Sequence, residues 1–278
     1  MVASRRTTRM PAIALPGLVD PHDLSADRQF SMNLARGMEV LRAFTPADPM
    51  LGNREIADRT GLPKPTVSRL TYTLTLLGYL TRDAGLQKYR LGSGVLSLGH
   101  PLLANLHVRQ LARPLMEHLA RKTGCTVNLG MRDRGNVVYI DSVRADTSNQ
   151  YLPDIGSTRP LLATAIGRAL ILQCPLAERT TILNWLKVHD RALFDTHKAA
   201  WEADQKLFAA QGYCHARGDW QKGVHAIGVP VRVPLRDMPV AMNCTLAATR
   251  IPKDRMAREV APELLDTVRQ LERLLNPQ

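Results

Sequence analysis

The sequence predicts an α+β fold divided between two domains, and three observations carry that reading. At 278 residues the chain is longer than the roughly 100–200 residues of a usual single domain. Its first third spells three helical segments closed by a short basic hairpin. The remainder mixes strand patterns with helices but lacks the strand-helix-strand rhythm of a parallel sheet.

Taken in order, residues 1–30 read as a flexible basic arm. Arg5, Arg6 and Arg9 precede an apolar run that Pro11 and Pro16 interrupt, which argues against the continuous apolar core of a secretory leader. In NLARGMEVLRAF, Leu34, Met38, Leu41 and Phe44 recur at helical spacing and predict an amphipathic helix that stops before Pro46 and Pro49. NREIADRTG predicts a second helix, capped by Asn53, burying Ile56 and ended by Gly61.

GLPKPTVSRLTYTLTLLGYL then sets a turn and a third helix. Pro63 belongs in the turn, whereas Pro65 suits a first helical turn, where its missing N–H would have no partner anyway. Val67, Leu70, Leu74 and Leu77 form the expected core stripe before Gly78, leaving Thr66, Ser68, Arg69, Tyr72 and Thr73 off it. Residues 79–82 and 88–91 are β-prone around Asp83, Ala84 and Gly85, a hairpin with basic tips. Helix, helix, tight turn, helix and basic hairpin over residues 31–92 make a winged helix-turn-helix, whose third helix is the one expected in the major groove.

Residues 93–107 read as a linker helix, and residues 108–278 as the second domain. Its first helix is expected through Leu111, Leu115 and Leu119. Cys125, Val127, Leu129 and Met131 alternate with Thr126, Asn128, Gly130 and Arg132, a half-buried strand that DRGN turns into VVYIDSV. A turn-rich loop leads to the helical LLATAIGRALIL, and further helices follow at about residues 176–187 and 196–211. VHAIGVPVRVPL and PVAMNCTLAA are expected to pair as strands. A final helix places Met256, Val260, Leu264, Val268, Leu271 and Leu275 on one face.

The formal charge of +12 ranks acidic partners, above all nucleic acid, ahead of neutral ones. Thirteen basic residues against eight acidic ones leave +5 for residues 1–92, so the excess is spread and does not locate a site. Residue type does. The third helix offers hydroxyls at Thr66, Ser68 and Thr73, a phenol at Tyr72 and the Arg69 guanidinium, which can grip guanine bidentately for roughly 1–3 kcal/mol of discrimination. Lys64 and Pro65 open that face, and Lys64, Arg82, Lys88 and Arg90 suit phosphates. A polar face opposite a leucine stripe can simply be solvated. The preceding helix, tight turn, hairpin and basic arm together favour double-stranded DNA.

Other chemistries find little support. Cys125, Cys174, Cys214 and Cys244 lie far apart, without a CxxC pair or His at metal spacing, so neither disulfide framework nor metal site is indicated, and a reducing cytoplasm fits. The eight histidines show no catalytic pairing. Cys214 and His215 would point to opposite faces of a strand. Gly92, Gly94 and Gly99 make no nucleotide-binding loop, so no cofactor is expected. No uncharged run approaches the roughly 20 residues of a membrane span. An enzyme with its catalytic part after residue 107, and a DNA-binding protein without an effector, stand as rival readings.

LARGMEVLRAF, REIADRTGLPKPTVSRL, LGYL and YRLGSGVLSLG resemble the winged helix-turn-helix of the IclR family of bacterial transcription regulators. TGCTVNLGMRDRGNVVYIDSV, PLLATAIGRAL and GYCHARGDWQKGVHAIGVPV resemble its effector-binding domain. The resemblance implies a GAF-like C-terminal domain that binds a small organic acid, aliphatic or aromatic. It also implies assembly as a homodimer or tetramer, and control of a catabolic operon as repressor or activator. By position, the family's pocket falls on Ala163, Thr164, Ala165, Ile166, Ala216, Ala226, Asn243 and Thr245, the last two on one strand face with Thr164 opposite. Trp220 and Tyr151 are candidates to cap an aromatic ligand. The closing signature departs from the family at Ala216, where Asp or Ser is usual, and at Asp219, which replaces Glu. Arg232 with Val233 replaces an aromatic residue or His followed by Asp or Asn, whereas Ala226, Ile227 and Gly228 fit.

Overall fold

The computed structural model describes residues 15–144, 154–233, 238–247 and 254–276. They form two compact units, Val19–Asn105 and Leu106–Gln278, with residues 15–18 packed on the second.

The first unit contains α1 (Met32–Arg42), α2 (Asn53–Thr60), α3 (Lys64–Leu76), the antiparallel hairpin β1 (Leu80–Asp83) and β2 (Lys88–Leu91), and α4 (Ser93–Asn105). Gly61, at φ 68°, ends α2 in the left-handed conformation that glycine adopts without steric cost, and Pro63 precedes α3 with Pro65 in its first turn. Val40, Ile56, Val67, Leu74, Leu80 and Tyr89 make the core. Leu51 joins the hairpin as a short third strand, exchanging backbone hydrogen bonds with Tyr89 at 3.0 and 2.8 Å.

Two expected stripes are corrected. On α1, Gly37 and Val40 face the core, while Leu34 and Met38 are 67% and 45% exposed. On α3 the buried positions are Val67, Thr71 and Leu74, and Leu77 is 62% exposed. α1 meets α3 at Gly37, where an added Cβ would lie 4.0 Å from Leu70 Cδ2, and the core between them takes Val40, Val67 and Leu74 with Leu41 and Leu70 at its edge, leaving Leu34, Met38 and Leu77 outside it. Thr71 takes the inner place because its hydroxyl finds Ser68 O at 3.1 Å and Asn53 Oδ1 at 3.2 Å.

The second unit is built on a six-stranded antiparallel sheet of order β5-β4-β3-β8-β7-β6. The strands are β3 (Thr126–Asp133), β4 (Asn136–Val143), β5 (Thr158–Pro160), β6 (Cys214–Arg217), β7 (Val224–Val231) and β8 (Val240–Ala247). Helices α5 (His107–Thr123) and α9 (Ala261–Leu275) cover one face, and α6 (Ala165–Leu172) presses on the other, with α7 (Leu176–His189) and α8 (Arg191–Gln211) outside it. All six apolar positions read from the last helix are buried, Met256 and Val260 within an irregular turn just before α9.

Because both faces are covered, β3 is not the half-buried strand that its alternation predicts. Asn128 is fully buried on the α6 side. Glycine makes that close packing possible: a Cβ on Gly228 would lie 2.5 Å from the Ala165 carbonyl. The expected flexible arm is also corrected, since Leu18 is buried in the core of the second unit with Leu15 against it, and Arg132 Nη2 donates to Pro16 O at 3.4 Å. Residues 1–14, including Arg5, Arg6 and Arg9, lie outside the described residues. The helix expected from residue 161 begins at Ala165, because Thr164 caps it by accepting from Gly167 N at 3.2 Å.

Candidate functional site

Two surfaces collect the candidate residues, one in each unit. On α3, Lys64, Pro65, Ser68, Arg69, Tyr72 and Thr73 are exposed on the side away from the core, and Thr66 is half-buried. Thr73 Oγ1 donates to Arg69 O at 3.0 Å and keeps its acceptor lone pairs. Arg69 makes no ion pair among the described residues, so its planar donor fork is available to a base edge.

The hairpin divides its cations. Arg90 and Lys64 are exposed. Arg82 donates to Gln87 Oε1 across the turn. Lys88 Nζ sits 2.9 Å from Glu55 Oε1 on α2, so in this structure it ties the hairpin to the helix pair. The Glu55 carboxylate accepts from Gly52 N at 2.6 Å as well, and these two partners hold its pKa below the ordinary glutamate value.

In the second unit a cavity of about 130 Å³ opens between the sheet and the N-terminus of α6. Seven of the eight positions named from the sequence line it: Ala163, Thr164 and Ala165 from the start of α6, Ala216 and Ala226 from β6 and β7, and Asn243 and Thr245 from β8. Ile166 does not. It is fully buried in the core, where its Cδ1 would lie 3.1 Å from a Cβ on Gly130, because one step along a helix turns a side chain by about 100°.

The hydroxyls expected to greet a carboxylate are partly committed. Thr164 Oγ1 donates to Pro160 O at 3.2 Å while accepting from Gly167 N, and Thr245 Oγ1 donates to Thr126 O at 3.3 Å. Asn243 is different. Its Oδ1 accepts from buried Asn128 Nδ2 at 2.9 Å, and Asn128 Oδ1 accepts from Ser142 Oγ at 2.8 Å, so this relay turns the Asn243 amide N–H groups towards the cavity side, where the Asn243 side chain also hydrogen-bonds the Tyr139 phenol.

Two residues absent from the sequence reading complete the polar equipment. Tyr139 on β4 lines the cavity, and burial pushes its phenol up to about 12, so it stays protonated as a donor. Arg159 on β5 brings a guanidinium to the same space. Tyr139 was hidden by a register shift between Leu129 and Gly130, which changes the face that simple alternation assigns to β4. Arg159 lay in a segment that reads only as a turn-rich loop.

The rim carries Trp220, 48% exposed, and Gln221. Asp219 stands behind them, accepting from Arg168 Nη2 at 2.8 Å and from Arg217 N at 3.2 Å. Arg168 is fully buried and also binds Asp204 Oδ2 at 2.6 Å and Leu162 O at 3.1 Å. Tyr151 lies outside the described residues.

The first-turn N–H groups of α6 have no intrahelical partner, and the helix dipole places partial positive charge at that end. With Arg159, Asn243 and Tyr139, the cavity is equipped to hold a small anion. Among its described lining residues no nucleophile stands beside a base. Among the described residues no group of three or more side chains could hold a metal, and no helix is long and apolar enough to cross a membrane.

Comparison with known proteins places this architecture. Residues 33–84 match the IclR helix-turn-helix domain, and residues 100–273 match the C-terminal domain of bacterial transcriptional regulators of the IclR type. The chain is 31% identical over 243 residues to the HTH-type transcriptional regulator TsaQ1/TsaQ2 of Comamonas testosteroni, covering 86% of this chain and 87% of that one. A crystal structure of an IclR family transcriptional regulator from Brucella abortus superposes with TM-score 0.86 at 37% identity, covering 95% of this chain and all of that one. An IclR homolog from Microbacterium hydrocarbonoxydans, complexed with 4-hydroxybenzoate, shares the fold at TM-score 0.65 and 22% identity over 87% of this chain and 98% of that one. The two domain matches, one within the first compact unit and one spanning nearly all of the second, and the identity along most of the chain make this protein a DNA-binding member of the IclR family of bacterial transcription regulators, which are not enzymes.

Proposed function

We propose that the chain is a cytoplasmic, homo-oligomeric regulator whose hold on operator DNA is set by a small organic acid bound in the α6 cavity, and that it governs a catabolic operon. The observation that carries this reading is the meeting of Arg159, the Asn243 amide and the start of α6 around one small space. Apolar walls at Ala163, Ala216 and Ala226 remove competing water and strengthen those interactions.

The cavity, about 130 Å³, has room for a single ring or a short chain. Trp220 brings an indole to the rim, and the relative of the same fold holds 4-hydroxybenzoate. A monocyclic aromatic acid therefore leads over an aliphatic one.

On the DNA side, Arg69, Tyr72, Ser68, Thr66 and Thr73 read bases, while Lys64, Pro65, Arg82 and Arg90 seat the helix and hairpin on the backbone, with Lys88 joining once drawn from Glu55. Leu34, Met38, Leu77 and Leu98 leave an apolar groove on the same unit, which a second copy would cover to give a dimer with two recognition helices. The acid acts by shifting the population of dimer geometries that match two half-sites. Acid and operator affinities are then coupled by the same factor in each direction.

Thermal-shift screening of the full chain against benzoate, 4-hydroxybenzoate and C2–C6 aliphatic acids tests the cavity, because a ligand that binds the folded state must raise its midpoint. A hit lost in Asn243→Leu and Arg159→Ala supports the reading, and the absence of any hit at millimolar concentration opposes it.

A further inference from the structure

Asn243, in the cavity wall, is one end of a hydrogen-bonded chain that crosses the sheet. Its Oδ1 accepts from Asn128 Nδ2 at 2.9 Å, and Asn128 Oδ1 accepts from Ser142 Oγ at 2.8 Å. Ser142 stands opposite Asn128 in the β3–β4 register and shares its face. Ser142 N donates in turn to Asp141 Oδ1 at 2.8 Å. Asp141 is fully buried, and its carboxylate pairs with Arg113 Nη1 at 2.8 Å and Arg109 Nε at 3.2 Å. Asn128, Ser142 and Asp141 thus join the cavity wall to the first two turns of α5.

The crossing depends on the irregularity between β3 and β4. Leu129 pairs with Asp141 and Gly130 with Tyr139, so Ile140 is an extra residue between them. Simple alternation would put Tyr139 and Asp141 on one face. With the extra residue, Tyr139 lines the cavity while Asp141 turns to the α5 side. A carboxylate buried there needs charged partners, and α5 supplies both from positions one turn apart. α5 begins at His107, two residues after α4 ends at Asn105, so these same turns receive the chain as it returns from the first unit.

We propose that Asp141 is a positioning residue that passes the state of the cavity, through Asn128 and Ser142, to the start of α5 and so to the chain segment leading back to the DNA-binding unit. The proposal rests on the reading of the cavity as an effector site. An acid that accepts from the Asn243 amide polarises it, and hydrogen bonds in series in a low-dielectric interior reinforce one another. The pull ends on the Ser142 hydroxyl, in the residue whose N–H holds Asp141.

Coupling between sites needs an element with two arrangements, and Arg113 supplies one. Its side chain is partly exposed, and its Nε lies 3.3 Å from Glu117 Oε1 on its own helix. When Asp141 turns towards Arg109, Arg113 keeps a carboxylate partner in Glu117, and the first two turns of α5 settle differently against β4. A clamp that served stability alone would hold α5 in one place whatever happened at Asn243.

The test is hydrogen–deuterium exchange of the full chain, read by mass spectrometry over peptides covering residues 107–113. Asn243→Leu removes the cavity end of the relay, and exchange there should rise by about threefold or more, with α9, which covers the same sheet face, unchanged. Thr245→Val alters the same wall off the relay and should leave residues 107–113 as in wild type. Ser142→Ala cuts the middle of the relay while keeping the cavity lining and both ion pairs. It should raise exchange at residues 107–113 by itself, and adding Asn243→Leu should raise it no further. Wild-type exchange there in Ser142→Ala overturns the proposal even if Asn243→Leu does not fold, as does a full second rise in the double variant. With 4-hydroxybenzoate as the probe, a raised melting midpoint without any change at residues 107–113 overturns the route and leaves the cavity reading standing. No rise in midpoint counts against the cavity reading, and the ligand-free variants still decide the route.

Discussion

Arg168 and Asp219 meet at 2.8 Å behind the loop that presents Trp220 and Gln221 to the cavity. The same guanidinium, fully buried, grips Asp204 of α8 at 2.6 Å and the Leu162 carbonyl. One side chain of α6 thus fixes the rim of the site and the helix behind it. Asp219, which stands where the family usually has Glu, acts as a loop anchor in this chain.

The two halves of that grip should separate by experiment. Arg168→Met leaves the Asp204 carboxylate buried without its cation, and losing one partner of such a pair costs about 3–5 kcal/mol. Asp219→Asn keeps a hydrogen-bond acceptor on a half-buried rim residue and should cost less than about 1 kcal/mol, while weakening any cavity ligand roughly tenfold by loosening Trp220. Urea unfolding and ligand titration distinguish them. Equal stability losses in the two variants would show that the buried Asp204 pair is not what Arg168 contributes.

On the DNA face, Arg69→Ala should relax base preference at one position of each half-site by about 1–3 kcal/mol. Arg90→Ala should weaken all sequences alike and reduce the slope of log affinity against log salt by about 1 for each phosphate it no longer neutralises. Selection from random duplexes, followed by salt titration of binding, reads both effects. Identical selected motifs for wild type and Arg69→Ala would remove Arg69 from base reading.

The legible parts of this chain were those governed by local rules. Gly61, Pro63 and Pro65 set the α2–α3 turn through backbone restrictions that need no tertiary partner, and the buried stripe from Met256 to Leu275 appeared because one helix face meets one sheet face. Seven cavity positions came from family resemblance, not from spacing. What could not be read depended on packing between distant segments. Leu34 and Met38 stay outside the core where α1 meets α3 at Gly37, and Tyr139 changes face through a β3–β4 register shift. Arg159 becomes part of a site only when β5 pairs with β4.

The exposed groove of the first unit predicts self-association. Met38→Lys or Leu77→Lys places a charge where a second copy would sit, so sedimentation at micromolar concentration should show smaller species than wild type, with little change in monomer fold by circular dichroism. If both variants sediment as wild type does, the dimer interface lies elsewhere.

The asparagine relay predicts a stability cost that is larger than its surface suggests. Asn128→Leu strands Asn243 Oδ1 and the Ser142 hydroxyl, each in a buried or half-buried place, at about 1–3 kcal/mol for an unsatisfied group. Asn128→Leu combined with Asn243→Leu should recover part of the loss, because the second change removes the stranded oxygen. Strict additivity in thermal unfolding would mean the two amides do not support one another.

Acid should destabilise the second unit through His215. Its ring is buried with neither nitrogen hydrogen-bonded in the structure, and burial, then the charges of Arg217 and His225, lower its pKa from 6.5 to about 4. A base whose folded pKa is depressed takes its proton more readily when unfolded. Its contribution is therefore constant above about pH 6.5 and is lost progressively as pH falls from there towards 4. His197, also lowered by burial, adds in the same direction. Wild type should lose several degrees of melting temperature between pH 7 and pH 5, where most carboxylates remain ionised, and His215→Phe should lose clearly less. Parallel pH curves for the two proteins would place the acid sensitivity in other groups.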